Sequence, residues 1–107
     1  MAPLSTDPGF KYSVYSGSVG TTALPIAIGG SAGRIVLQGS GYFRVALGHG
    51  SAPSAATAVT SESTKTNEFS FSGLTGLEIN VPTGDPPVTH LSLVAKSAGS
   101  TITITAS

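Results

Sequence analysis

The sequence predicts an all-β domain, an antiparallel β-sandwich of about eight short strands, jelly-roll-like or, as the alternative, immunoglobulin-like. Three observations predict it. Apolar and polar residues alternate with a period of two, turn signals recur at fairly even intervals, and no stretch reads as a helix. The only Ala-rich run, Ser51 to Val59, contains Pro53 and is dense in Ser and Thr, both poor helix formers.

The alternation places the strands. In the segment 10–16, Phe10, Tyr12 and Val14 alternate with Lys11, Ser13 and Tyr15. Strands follow over 21–28 and 33–38, then over 42–48, where Phe43, Val45 and Leu47 oppose Tyr42, Arg44 and Ala46. Short strands are expected over 57–61 and 67–72, and another over 75–81, with Leu77, Ile79 and Val81 facing inward. The C-terminal segments 88–96 and 100–106 complete the set. In the last, Ile102, Ile104 and Ala106 form a core face opposite a threonine face of Thr101, Thr103 and Thr105. Turn signals at 16–18, 29–31, 39–41, 48–50, 72–73 and 82–87 separate them. Three-residue glycine-containing connections suggest two hairpins, 88–96 with 100–106 through Ser97-Ala98-Gly99, and 33–38 with 42–48 through Gly39-Ser40-Gly41. Residues 49–66 read as a surface loop with one short strand and some mobility.

At 107 residues the chain holds one domain, preceded by a Pro-containing arm: 1–9 as the arm, 10–107 as the sandwich. With no Cys, no Trp and one Met, the core must be built from Val, Ile, Leu and Phe. Small β domains without disulfides or metals often gain burial by oligomerising. Charged residues make up 9% of the chain, against about 25% in ordinary soluble domains, and the net charge is zero. Five scattered cations cannot form the basic stripe that nucleic acid needs, nor a polybasic membrane patch. The longest apolar run is far too short to span a bilayer, and the N-terminus has no signal-peptide pattern, so synthesis in the cytoplasm is expected. The polar surface is left to Ser, Thr and Gly, whose groups bury in an interface at less cost than charges do.

No catalytic constellation is convincing. Gly29-Gly30-Ser31-Ala32-Gly33 matches a nucleophile elbow, with Asp85 and His90 in hydrolase order. That elbow needs a helix after the serine, and Arg34-Ile-Val-Leu-Gln reads as a strand. His49 and His90 stand far apart without cysteines, short of a zinc ligand set. Asp7, Glu62, Glu68, Glu78 and Asp85 permit a carboxylate pair by number only, most of them lying by turns or on outward strand positions. The reading is no enzyme, no cofactor and no metal. The candidate partner-contact residues are Pro3, Leu4 and Pro8 of the arm, with Tyr15 from the aromatic first strand. Ordinary burial tendencies favour the other reading of that strand, as core with Phe10, Tyr12 and Val14 inward.

Phe43-Arg-Val-Ala-Leu-Gly-His-Gly, then Ala55-Ala-Thr-Ala, then Thr89-His-Leu-Ser-Leu-Val-Ala-Lys-Ser-Ala-Gly-Ser-Thr-Ile-Thr-Ile-Thr carry a family likeness. Across residues 42–107 the chain resembles small β-sandwich virion proteins of tailed bacteriophages, the capsid decoration (cement) and head-surface proteins. The resemblance implies a homotrimer, or another symmetric knob, seated on the capsid surface where copies of the major capsid protein meet. It implies no catalytic residue. The alternative function is a tail or fibre adhesion module that recognises a host surface glycan, for which Tyr42 and Arg44 are the available residues.

Overall fold

The structure, a computed structural model, describes residues 12–107 except Thr83, with the side chains of Tyr12, Ser13 and residues 29–32 left aside. Eight strands follow in order: β1 (Tyr12–Val19), β2 (Leu24–Ala32), β3 (Arg34–Gly39), β4 (Tyr42–Gly48), β5 (Glu68–Ser72), β6 (Leu77–Asn80), β7 (Val88–Ala95) and β8 (Ser100–Ala106). They form two four-stranded sheets, β1-β8-β3-β6 and β2-β7-β4-β5. Among the described residues there is no helix, hence none long and apolar enough to cross a membrane.

The pairing is nested. β4 pairs with β5, β3 with β6, β2 with β7 and β1 with β8, all antiparallel. A long hairpin rolled up in this way is a jelly roll. An immunoglobulin-like sandwich instead pairs successive strands within one sheet, so the strand order excludes that alternative.

Both expected hairpins are overturned. β7 and β8 lie in different sheets, as do β3 and β4. Their three-residue connections turn corners between the sheets, and local turn chemistry does not distinguish a corner from a hairpin. What decides is the partner each strand finds. β8 docks between β1 and β3, with Ile104 opposite both Tyr15 and Leu37. The corner is tight: a Cβ on Gly39 would strike the Thr101 carbonyl, and one on Gly73 would strike the Gly39 backbone and the Phe43 ring.

The core lies between the sheets. Ile35, Leu37, Phe43, Val45, Leu91, Leu93, Ile102 and Ile104 are fully buried, and the Phe43 and Phe71 rings stack with centroids 5.6 Å apart. Each such side chain contributes roughly 1.5–3 kcal/mol of burial. On β8 the alternation is as expected, with Thr101 and Thr103 exposed and Ile102 and Ile104 inside.

β4 departs from it. Phe43 and Val45 face the core, yet Arg44 and Ala46 on the opposite face are buried too. The cover is the 49–67 connection, which forms no strand over 57–61 and packs across the outer face of β4 and β7. Ala56 meets Ala46 and Val94 in a second small cluster.

Candidate functional site

The covering loop is held by two charged residues. The Arg44 guanidinium donates through Nε to Ser70 Oγ at 2.9 Å. Through Nη1 it reaches the carbonyls of Thr57 (3.3 Å), Ala58 (2.8 Å) and Ser61 (2.8 Å). Glu68, at the start of β5, accepts from the Thr57 N–H at 2.9 Å, the Thr57 hydroxyl at 3.2 Å and the Ser63 hydroxyl, with Lys65 Nζ 3.5 Å away. Burial would raise the Glu68 pKa, but the hydrogen bonds from Ser63 and Thr57 and the Lys65 charge outweigh it and hold the carboxyl below its ordinary value. Ser92 Oγ accepts the Ala56 N–H, and Asn67 Nδ2 donates to the Leu47 carbonyl. The segment expected to be a mobile loop is thus tied to the sheet at many points.

Where this loop meets the end of the sheet it leaves a groove of about 480 Å³, lined by Tyr42, Phe43, Val59, Thr60, Ser70, Phe71 and Lys96. Tyr42 is 58% exposed, and Lys96 Nζ sits 5.7 Å from its ring centroid. Lysine, hydroxyls and aromatic faces meet here, and no carboxylate lines the groove. Arg44 does not line it, being turned inward to the loop.

Among the described residues nothing covers the back of the other sheet. Its outer face is rich in hydroxyls and amides towards β1 and β8, where Thr101, Thr103 and Thr105 stand beside Ser18 and Ser16 on β1 and Gln38 on β3, while Val36, Arg34 and Glu78 line a groove towards β6. Ser16 Oγ and Thr103 Oγ1 lie 3.4 Å apart. One ion pair marks its far edge, Arg34 Nε to Glu78 Oε2 at 2.7 Å.

Of the candidate contact residues, Pro3, Leu4 and Pro8 lie outside the described residues. Tyr15 is half-buried. A β-bulge between Ser13 and Tyr15 shifts the alternation, so Tyr15 as well as Val14 packs against the core, and the Tyr15 hydroxyl donates to the Ser18 carbonyl at 2.7 Å. His49 Nδ1 donates to the Pro87 carbonyl at 3.2 Å, and His90 Nδ1 lies 2.8 Å from Thr89 Oγ1. No group of three metal-ligating side chains occurs among the described residues. The Gly29–Gly33 segment runs from β2 into strand β3, which is not the strand-to-helix turn of a nucleophile elbow.

The Tyr42–Lys96 pairing escaped the sequence because its partners are 54 positions apart, one opening β4 and the other just past the end of β7. Arg44 did carry a signal: a guanidinium within Phe-Arg-Val-Ala-Leu marks a charge that burial would oblige to find acceptors. No protein-family model matches the chain, and no curated protein or solved structure matches it.

Proposed function

We propose that the protein is a structural, non-catalytic virion component, a capsid decoration protein that seats on the head surface of a tailed bacteriophage and braces its major capsid protein. The observation that carries this reading is the uncovered face of β1-β8-β3-β6. Its β1-β8 side, an array of Ser and Thr with Gln38 beside it and the Arg34–Glu78 pair set apart towards β6, desolvates at low cost and offers donors and acceptors to a partner backbone. The near absence of charge supports the same reading, as does the likeness of residues 42–107 to such proteins. Assembly as a homotrimer follows that likeness. The protein would be made in the host cytoplasm and reside on the capsid surface. The test is co-sedimentation with phage heads stripped of their surface protein. Thr103→Arg on the hydroxyl face should abolish binding while leaving the melting temperature unchanged, and deletion of residues 1–9 should weaken binding without loss of fold. Binding that survives both changes would sink the reading.

The Tyr42–Lys96 groove favours one second reading, a fibre module for a host surface glycan, because an exposed ring beside a cation and hydroxyls suits an acidic sugar. Tyr42→Ala should abolish glycan-array signal and leave capsid binding intact.

A further inference from the structure

We propose that the protein associates head to tail with further copies of itself, the Leu74 turn of one copy seated in the apolar groove at the opposite end of the next.

Strand directions sort the turns to two ends of the sandwich. β4 runs from Tyr42 to Gly48, with Ser72 of β5 opposite Tyr42, Ala95 of β7 opposite Phe43 and His90 opposite Gly48. The turns that follow Ser72 and Ala95 therefore share the Tyr42 end. The connections that follow Gly48 and precede Val88 share the other.

The Tyr42 end carries a knob. Leu74 is 82% exposed, the most exposed large hydrophobic among the described residues. Its turn is fastened: Gly76 N–H donates to the Ser72 carbonyl at 2.8 Å, Gly73 N–H to the Gly41 carbonyl at 2.7 Å, and Gly39 N–H to the Gly73 carbonyl at 2.9 Å. An apolar side chain displayed on an ordered turn loses little backbone entropy when it docks. Lys96, at the same end, makes no ion pair among the described residues.

The other end carries a socket. A groove of about 320 Å³ is walled by Leu47, Ile79, Val81, Pro86 and Val88, with Asp85, Asn80 and the His49 ring as its polar lining. Asp85 makes no ion pair among the described residues. The two ends are thus complementary in both respects, an apolar knob with a cation against an apolar socket with a carboxylate. Like ends would oppose charge of one sign, which disfavours a two-fold end-to-end dimer. Contacts of this head-to-tail kind close into a ring if the rotation allows and otherwise extend as a filament. The inference needs no capsid and stands apart from the function proposed above: failure of capsid binding would leave it untouched.

Light scattering of the full chain from about 1 to about 500 µM should show mass rising with concentration, to a ring or to a growing filament. Leu74→Asp and Asp85→Lys, both at exposed positions, should each keep the thermal melt and move the association midpoint upward by at least about tenfold. Lys96→Asp combined with Asp85→Lys should restore association. Because each variant spoils one end only, mixing Leu74→Asp with Pro86→Lys should yield a one-to-one pair that grows no further. A monomer throughout the range, an unchanged midpoint for Leu74→Asp, or a two-fold dimer insensitive to the mixing experiment would overturn the proposal.

Discussion

The two sheets share a core but differ in what lies on their backs. Among the described residues β1-β8-β3-β6 turns a bare, hydroxyl-rich face outward, while β2-β7-β4-β5 wears the 49–67 loop as a third layer. On the bare sheet, polarity reports burial along β8, where Thr101 and Thr103 are exposed and Ile102 and Ile104 are buried. On the covered sheet it does not, since Arg44, Ser92 and the Glu68 side chain are as hidden as their apolar neighbours. A polar residue on a covered sheet therefore acts as a fastener, and its worth lies in how many backbone groups it satisfies.

The sharpest break of this contrast is on β8. Ile104→Asp should unfold the domain, because an unpaired carboxylate in a site with no solvent access costs several kcal/mol of a typical ~5–15 kcal/mol total. Thr103→Asp, one residue along on the bare face, should melt within a few degrees of the parent. Equal loss at both positions in a thermal scan would show that the bare face is not bare.

A middle effect is expected at Arg44. Arg44→Met keeps the apolar stem but leaves the carbonyls of Thr57, Ala58 and Ser61 without their donor, a loss of about 2–4 kcal/mol in urea unfolding. The loop should then open, and trypsin should cut after Lys65 well before the sandwich unfolds. Parent-like resistance to cleavage would mean that apolar contact of Ala56 with Ala46 and Val94 holds the loop unaided.

The smallest effect is the pH dependence at Glu68. Its carboxyl titrates below the ordinary value in the folded state, so its contribution is full above the unfolded value of about 4.3 and fades as pH falls through the lower folded value. Loop docking, followed by hydrogen exchange of the Thr57 amide, should weaken in that acid window. Glu68→Gln should be less stable by about 1 kcal/mol at neutral pH and lose this acid dependence. An unchanged acid profile in that variant would place the titration elsewhere.

The same contrast explains what could be read in advance. Alternation in Thr101–Ala106 reflects one dry and one wet face, and the fold class followed from such strands. The corners at 39–41 and 97–99 were misread as hairpins because Gly-rich triplets describe how the chain bends and carry no information about which strand it meets next. The 57–61 segment borrowed the look of a strand from Val59 and its threonines, but Arg44 gathers the carbonyls of Thr57, Ala58 and Ser61 onto one guanidinium, which a strand's alternating ladder would not allow. The groove of Tyr42 and Lys96 was hidden for a like reason: it exists only once β4 and β7 lie side by side.

The nested pairing also bears on the order in which the chain can fold. β1 finds its partner only in β8, with Tyr12 opposite Ala106 and Val19 opposite Ser100. β1 must therefore wait for β8 to be made before it finds that partner, and nearly every other described strand pair is likewise distant in sequence. Among the described strands β4 and β5 make the one successive pair, across the loop that Arg44 and Glu68 fasten. Nucleation belongs there, with closure by β8 last, and folding should be slow for a domain of this size.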